Sequence, residues 1–249
     1  MHRPTGPWTP TVHAYLRHLR SAGFTGAPEV LGLDERGREI LTYIPGETLG
    51  DALDPAEPKS ELATTRPWTA PMRSDRALAA IGTLYAGLHA AARGFALPSP
   101  IWREYELPMH PGEIVCHGDP GPWNAVYRDG VPVALIDWDG AHPARPLIEL
   151  ADVAWAFVPL GGDELLRASG FEPPYDTGRR LRILCDAYGV RDPNAVLAAL
   201  SEERQLAAMR LRYWQPLRSG AGAALLRSWA DDLEWLEHNA RDLRAHLAR

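Results

Sequence analysis

The chain has 249 residues, a formal net charge of −6, 45% hydrophobic and 23% charged residues, and two cysteines. That length can bury one large core or two smaller ones, the acidic balance argues against nucleic acid as a partner, and no apolar run approaches the roughly 20 residues of a membrane span. Cys116 and Cys185 are too few for a disulfide framework, and the opening MHRPTGPWTP has no apolar signal core, so a cytoplasmic protein is expected.

In chain order, Thr9 to Gly23 predicts a helix: Thr9 as N-cap, Pro10 at the first helical position, and Val12, Tyr15, Leu16 and Leu19 on one face. Two strands follow, Glu29 to Leu33 and Arg38 to Ile44, joined by the turn-rich Asp34-Glu35-Arg36-Gly37 and stopped by Pro45-Gly46. Residues 51–73 are polar and rich in proline and read as a surface excursion, with the single lysine, Lys59, inside it. Ser74 then caps a long helix to about Arg93, with Leu78, Ile81, Leu84, Tyr85 and Leu88 along one stripe. Beyond residue 145 the pattern is helical: Pro146 to Val158, Thr177 to Tyr188, Pro193 to about Trp214, and Ala221 to Leu247, with Asp176 and Asp192 where N-caps belong. A small strand-containing part therefore precedes a larger helical part.

At the join lies VCHGDPGPWNAVYRDGVPVALIDWDG, residues 115–140. Asp129-Gly130 between two apolar runs signals a two-residue hairpin. Counting outward pairs Arg128 with Val131 and Asn124 with Leu135, so Asp137 projects to the face of Asn124, roughly 7 Å away on the diagonal. Those two side chains can share one small cation. Magnesium suits them, because it takes one or two protein carboxylates plus phosphate oxygens rather than a full protein cage. Asp119 comes from a tight Gly-Pro-rich loop and is placed to orient or deprotonate an attacking hydroxyl.

The pattern His117-Gly118-Asp119-x-x-x-x-Asn124, followed by Ile136-Asp137-Trp138-Asp139, resembles the aminoglycoside phosphotransferase and choline kinase-like family. Leu41 to Glu47 looks like that family's strand-to-hinge segment, Leu88-His89 like its L-H pair, and Pro146-Leu147-Ile148-Glu149-Leu150-Ala151 like its P-x-x-D-L-A with Glu in place of Asp. The resemblance implies an α+β, protein-kinase-like two-lobe fold: a truncated N-terminal lobe and hinge over residues 1–48, and a mostly helical catalytic lobe over residues 49–249. It further implies ATP and magnesium as cofactors, with a γ-phosphoryl group transferred to a hydroxyl of a small molecule, aminoglycoside- or amino-alcohol-like. Asp119 is then the catalytic base, Asn124 and Asp137 the metal ligands, and Tyr43 and Ile44 the backbone that meets adenine.

Other residues carry competing readings. His117 is expected to bond backbone and hold the loop rather than catalyse. Asp139 either touches a second metal or caps the following segment. Glu149 reads as a loop-bracing acid, and Cys116 as a buried small hydrophobe. Asp231, Asp232, Glu234 and Glu237 either meet a cationic substrate or form a solvated helix face. Trp8, Trp68, Trp123, Trp214 and Trp229 read as core filling before pocket lining.

Kinase relatives also hold phosphates with a glycine-rich strand pair and a lysine–glutamate pair. Here no G-x-G-x-x-G precedes Val12, no lysine precedes Lys59, and no acid occurs from Met1 to Pro28. Arg3 is the nearest cation able to reach phosphate, as a planar fork rather than a point charge. The leading expectation is a magnesium-dependent small-molecule kinase. The rival is a kinase-like protein that binds a nucleotide or small molecule and transfers little or nothing. A metal-dependent hydrolase fits less well, since clustered His and carboxylate ligands are not evident.

Overall fold

The computed structural model describes residues 1–49, 68–103, 108–213 and 220–247. Most of the expected surface excursion, Lys59, Trp214 and the side chain of Trp229 lie outside the described residues.

The chain opens with a strand that the sequence pattern did not announce, β1 (His2–Arg3). Helix α1 (Thr9–Ser21) follows, and Gly23, at φ +87°, turns the chain away from it. Thr9 does not cap α1. Its hydroxyl accepts from the Gly6 N–H at 2.9 Å, closing the turn before the helix, and Trp8 occupies the cap without a side-chain bond. Val12, Tyr15, Leu16 and Leu19 are all buried, as their spacing requires.

Strands β2 (Val30–Leu33) and β3 (Glu39–Leu41) are antiparallel, and β1 adds to the other side of β3, giving the order β1-β3-β2. Asp34 fixes the turn between β2 and β3 by accepting from the Arg36 and Arg38 backbone, each at 2.9 Å. Strand β3 ends at Leu41, short of the expected Ile44, and residues 42–45 run outside any regular element.

Helix α2 (Asp75–Ala92) begins at Ser74, whose hydroxyl accepts from the Ala77 N–H at 3.1 Å. Its Leu78, Ile81, Tyr85 and Leu88 lie inside the core. Full burial of each aliphatic side chain there contributes about 1.5–3 kcal/mol. Helix α5 (Thr177–Tyr188) packs against α2 where Gly82 lets the two approach: a Cβ on Gly82 would fall 2.7 Å from the Leu184 carbonyl oxygen.

Two small antiparallel pairs lie between α2 and the following helices. Strand β4 (Ile114–Cys116) pairs with β7 (His142–Ala144), and β5 (Ala125–Arg128) with β6 (Val131–Leu135). The later helices are α3 (Pro146–Phe157), the short α4 (Asp163–Ala168), α5, α6 (Pro193–Tyr213) and α7 (Gly220–Leu247). Asp192 supports the start of α6 by accepting from the Asn194 N–H at 2.9 Å. Asp176 does not cap α5 with its side chain: its backbone is left-handed and its carboxylate turns to Arg179. No helix among the described residues is long and apolar enough to cross a membrane.

Candidate active site

The hairpin β5–β6 turns through Asp129 and Gly130, at φ +51° and +71°. Positive φ at both central residues matches the right-handed strand twist, which is why Asp-Gly stands there. The register differs from the simple count. Arg128 pairs with Val131 and Tyr127 with Pro132, but beyond a bulge Val126 pairs with Ala134 and Ala125 with Leu135. The bulge leaves Val133 as an extra residue, so Asn124 meets Ile136, whose N–H donates to the Asn124 carbonyl at 2.9 Å, instead of Leu135. Strand alternation therefore does not bring Asp137 toward Asn124. Asp137 instead takes a left-handed backbone, φ 61° and ψ 67°, which ends the strand and re-aims the side chain before the 3-10 turn Trp138–Gly140.

Asn124 closes the 3-10 turn Pro122–Asn124 and is buried. Its amide nitrogen donates to the Asp119 backbone carbonyl at 3.0 Å and to Asp119 Oδ2 at 2.8 Å. Both amide protons are thereby used, which leaves its carbonyl oxygen as the atom that can face a cation. That oxygen and the half-exposed Asp137 carboxylate are hard oxygen donors of the kind magnesium takes.

The loop carrying Asp119 is held from three sides. His117, fully buried, donates from Nε2 to the Ile136 carbonyl at 2.9 Å and packs edge-on against Trp138. Its Nδ1 accepts from the Asp119 N–H at 3.4 Å, so both ring nitrogens serve the backbone. Gly118 sits at φ +82°, and a Cβ there would fall 2.0 Å from the Gly140 carbonyl oxygen. Its N–H donates to Glu149 Oε1 at 2.8 Å. Glu149, on α3 and buried, accepts with its other oxygen from His89 Nε2 at 2.7 Å, and His89 Nδ1 meets the Tyr188 hydroxyl at 2.6 Å. A hydrogen-bonded chain, buried at Glu149 and His89 and half-buried at Tyr188, thus runs from the loop through α3 and α2 to α5. Burial alone would raise the Glu149 pKa, but the His89 bond and charge and the Gly118 N–H together hold it below the ordinary value.

The Asp119 side chain reaches solvent, yet the protein packed around it removes much of its hydration and pushes its pKa up. His117 and the Asn124 bond oppose that shift, and the nearby charge of Asp137 adds to it. A carboxylate raised in this way is better matched to taking a proton near neutrality.

Arg3 was the least constrained candidate in the sequence, and the structure ties it to this loop. Its Nη2 donates to Asp137 Oδ1 at 2.8 Å and to Asp139 Oδ2 at 3.1 Å, while its Nε faces Glu39 Oε1 at 3.6 Å. Arg103 approaches Asp139 at 3.7 Å and lies over the Trp8 ring. Glu39 and His13, which join at 2.8 Å, were not anticipated. Twenty-six residues separate them, and no local pattern marks such a pair.

Tyr43 is exposed and Ile44 half-buried in the irregular segment after β3. Close by, Glu47 and Tyr127 exchange backbone bonds at 2.9 and 2.8 Å, docking this segment onto β5. Cys116 is buried, with its thiol toward the Ala144 carbonyl. On α7, Asp232 is drawn toward the buried Arg204, while Asp231, Glu234 and Glu237 face solvent. Trp68 meets Phe157 and Phe171 edge-on and is buried in the core, and Trp8 and Trp123 are half-buried against it.

Comparison with known proteins shows the family and the fold. The model of the phosphotransferase enzyme family matches residues 101–184, which contain the Asp119 loop and the hairpin. The trifolitoxin immunity protein of Rhizobium leguminosarum bv. trifolii is 36% identical over 196 residues, spanning 76% of this chain and 67% of that protein. Among solved structures, amicoumacin kinase hAmiN in complex with AMP-PNP, Ca2+ and Ami superposes with a TM-score of 0.56 at 15% identity, over 96% of this chain and 80% of that one. Macrolide 2′-phosphotransferase MphH from Brachybacterium faecium gives 0.53 at 16% identity, over 91% and 82%. The fold is thus the protein-kinase-like α+β fold of antibiotic phosphotransferases, and the chain belongs to the phosphotransferase enzyme family.

Proposed function

We propose that the protein is an ATP-dependent phosphotransferase that transfers the γ-phosphoryl group to a hydroxyl of a small toxic compound. The observation that carries the reading is the fixed Asp119 carboxylate, held at 2.8 Å by the Asn124 amide beside the Asp137 and Asp139 carboxylates. The acceptor hydroxyl hydrogen-bonds to Asp119, its oxygen forms the new bond to the γ-phosphorus, the bond to the bridging oxygen breaks, and ADP leaves. The hydroxyl proton passes to Asp119. Asn124 Oδ1 and the Asp137 carboxylate would hold magnesium, which would supply charge neutralisation on the phosphates. Tyr43 and Ile44 offer backbone groups to adenine, and Arg3 lies on the phosphate side. Residues 1–48 form the reduced nucleotide-facing lobe, and the rest of the chain forms the catalytic lobe.

The toxic-compound reading draws on the immunity protein, 36% identical, and on the two antibiotic-kinase folds. Chemical modification of a toxin is one way to confer protection. Sequestration without transfer is the second reading, and the same relative supports it equally. A nucleotide-consumption screen over hydroxyl-bearing antibiotics, amino sugars and amino alcohols, with and without magnesium, separates the two. Consumption with a product heavier by one phosphoryl group supports the kinase. Tight compound binding with no consumption supports sequestration.

A further inference from the structure

Three carboxylates converge on one guanidinium. Arg3 Nη2 bonds to Asp137 and Asp139, and its Nε faces Glu39. Glu39 opens β3 and is directly opposite Arg3 in the β1–β3 register, with His2 opposite Ile40. Only 3% of Glu39 is exposed, and its other oxygen accepts from His13 Nε2 at 2.8 Å. His13 is itself buried on α1. The acid is thus fixed at one end by a helix and directed at the other toward Arg3.

Stability does not account for this arrangement. A buried carboxylate needs partners, and His13 supplies one, but the Arg3 head group extends past Glu39 to the half-exposed Asp137. A solvent-facing ion pair of that kind contributes little to folding. Moreover, the Arg3–Glu39 distance of 3.6 Å exceeds a hydrogen bond, so Glu39 aims the guanidinium without consuming a donor in a direct bond. The result is a planar, permanently charged group tethered on its strand and ending on the two acids at the mouth of the site.

The geometry points to Arg3 as the residue that receives the nucleotide phosphates, with Glu39 as its positioning residue and His13 locking Glu39 in place. A cation–acid pair carried across neighbouring strands β1 and β3 then holds phosphate as a fork braced by a buried acid. This inference rests on the nucleotide reading above. A guanidinium fork matches phosphate oxygens in pairs, and charge-assisted bonds to phosphate are strong enough for their loss to be measured directly.

The test is calorimetry on the full chain with magnesium and a non-hydrolysable ATP analogue, and separately with adenosine. Arg3→Ala is expected to weaken analogue binding about ten- to hundredfold while leaving adenosine binding unchanged, and Arg3→Lys restores only part of the loss. Glu39→Gln, which keeps size and a partner for His13, weakens analogue binding in the same direction. The double variant is then no weaker than Arg3→Ala alone, because Glu39 acts only through Arg3. A merely structural Glu39 would add its effect to that of Arg3 and would also shift adenosine. Should Glu39→Gln fail to fold, the Arg3 variants and the adenosine control still decide. If Arg3→Ala binds the analogue like wild type while Asp137→Ala does not bind it, the inference falls and the nucleotide reading stands. If wild type binds no analogue, both fall.

Discussion

Asn124 donates one amide to two oxygens of Asp119, five residues upstream: the backbone carbonyl at 3.0 Å and the side-chain Oδ2 at 2.8 Å. The bond holds the carboxylate and commits the Asn124 amide nitrogen to Asp119. A single side chain therefore fixes the proposed base and is itself the proposed metal ligand. Asp119→Asn should leave magnesium-dependent nucleotide binding nearly intact and lower turnover by at least about a hundredfold, the scale of general-base catalysis. Steady-state kinetics with an identified acceptor check this, and wild-type turnover in the variant removes Asp119 as the base.

Asp137 combines a charge with an unusual backbone. At φ 61° and ψ 67° it sits where only Gly, Asn and Asp settle readily. Asp137→Asn keeps that backbone and removes the charge, whereas Asp137→Ala also strains it. Both should lose the magnesium dependence of nucleotide binding, and only the alanine variant should also unfold earlier, by roughly 1–2 kcal/mol. Calorimetry at varied magnesium and denaturant titration separate the two effects. Retained magnesium dependence in a folded Asp137→Asn would take Asp137 out of the metal set.

The loop and hairpin were legible because their signals are local: Asp-Gly for the turn, glycine and proline for the tight loop, and polar residues at fixed offsets. Helices α1 and α2 were legible because an apolar stripe recurs at helical spacing and Pro10 or Ser74 marks the start, and α3 because it opens on Pro146; α5 lies where expected although Asp176 does not cap it. Strands β1 and β7 were not, because two or three residues carry no period and their partners lie far away in sequence. The same reason hid the Glu39–His13 pair and the Glu149–His89–Tyr188 chain, which exist only after the sheet and helices assemble. The bulge at Val133 was hidden too: an extra strand residue leaves the composition unchanged yet moves every pairing beyond it.

Gly118 is the point at which the Asp119 loop has no room. Its φ is +82°, and a Cβ would meet the Gly140 carbonyl oxygen at 2.0 Å, a backbone atom that cannot swing aside. Gly118→Ala should cost about 1–3 kcal/mol from backbone strain, with the clash adding to it. It should also displace the N–H that Glu149 accepts. Thermal denaturation and nucleotide binding should both deteriorate. A variant as stable as wild type would mean that the loop adjusts without loss.

Glu149 gives a pH test with a definite sign. Its two oxygens face two donors, the Gly118 N–H at 2.8 Å and His89 Nε2 at 2.7 Å. Glutamine offers only one carbonyl oxygen, so Glu149→Gln turns an NH2 group toward a donor. A buried unpaired group of this kind costs about 1–3 kcal/mol. Burial works against the charged form, but the His89 bond, its charge and the Gly118 N–H outweigh it and place the folded pKa below the ordinary 4.5. Between the two pKa values the unfolded chain binds more protons than the folded one, so stability falls as pH falls through that window. The stability gap between wild type and Glu149→Gln should therefore be full at neutral pH and narrow only below about pH 4.5, where the wild-type carboxylate begins to lose its advantage. Denaturant titrations of both proteins at pH values on either side of that point measure the gap directly. A gap that stays constant as the pH falls, or widens, would show that Glu149 is not held as a carboxylate by His89 and Gly118.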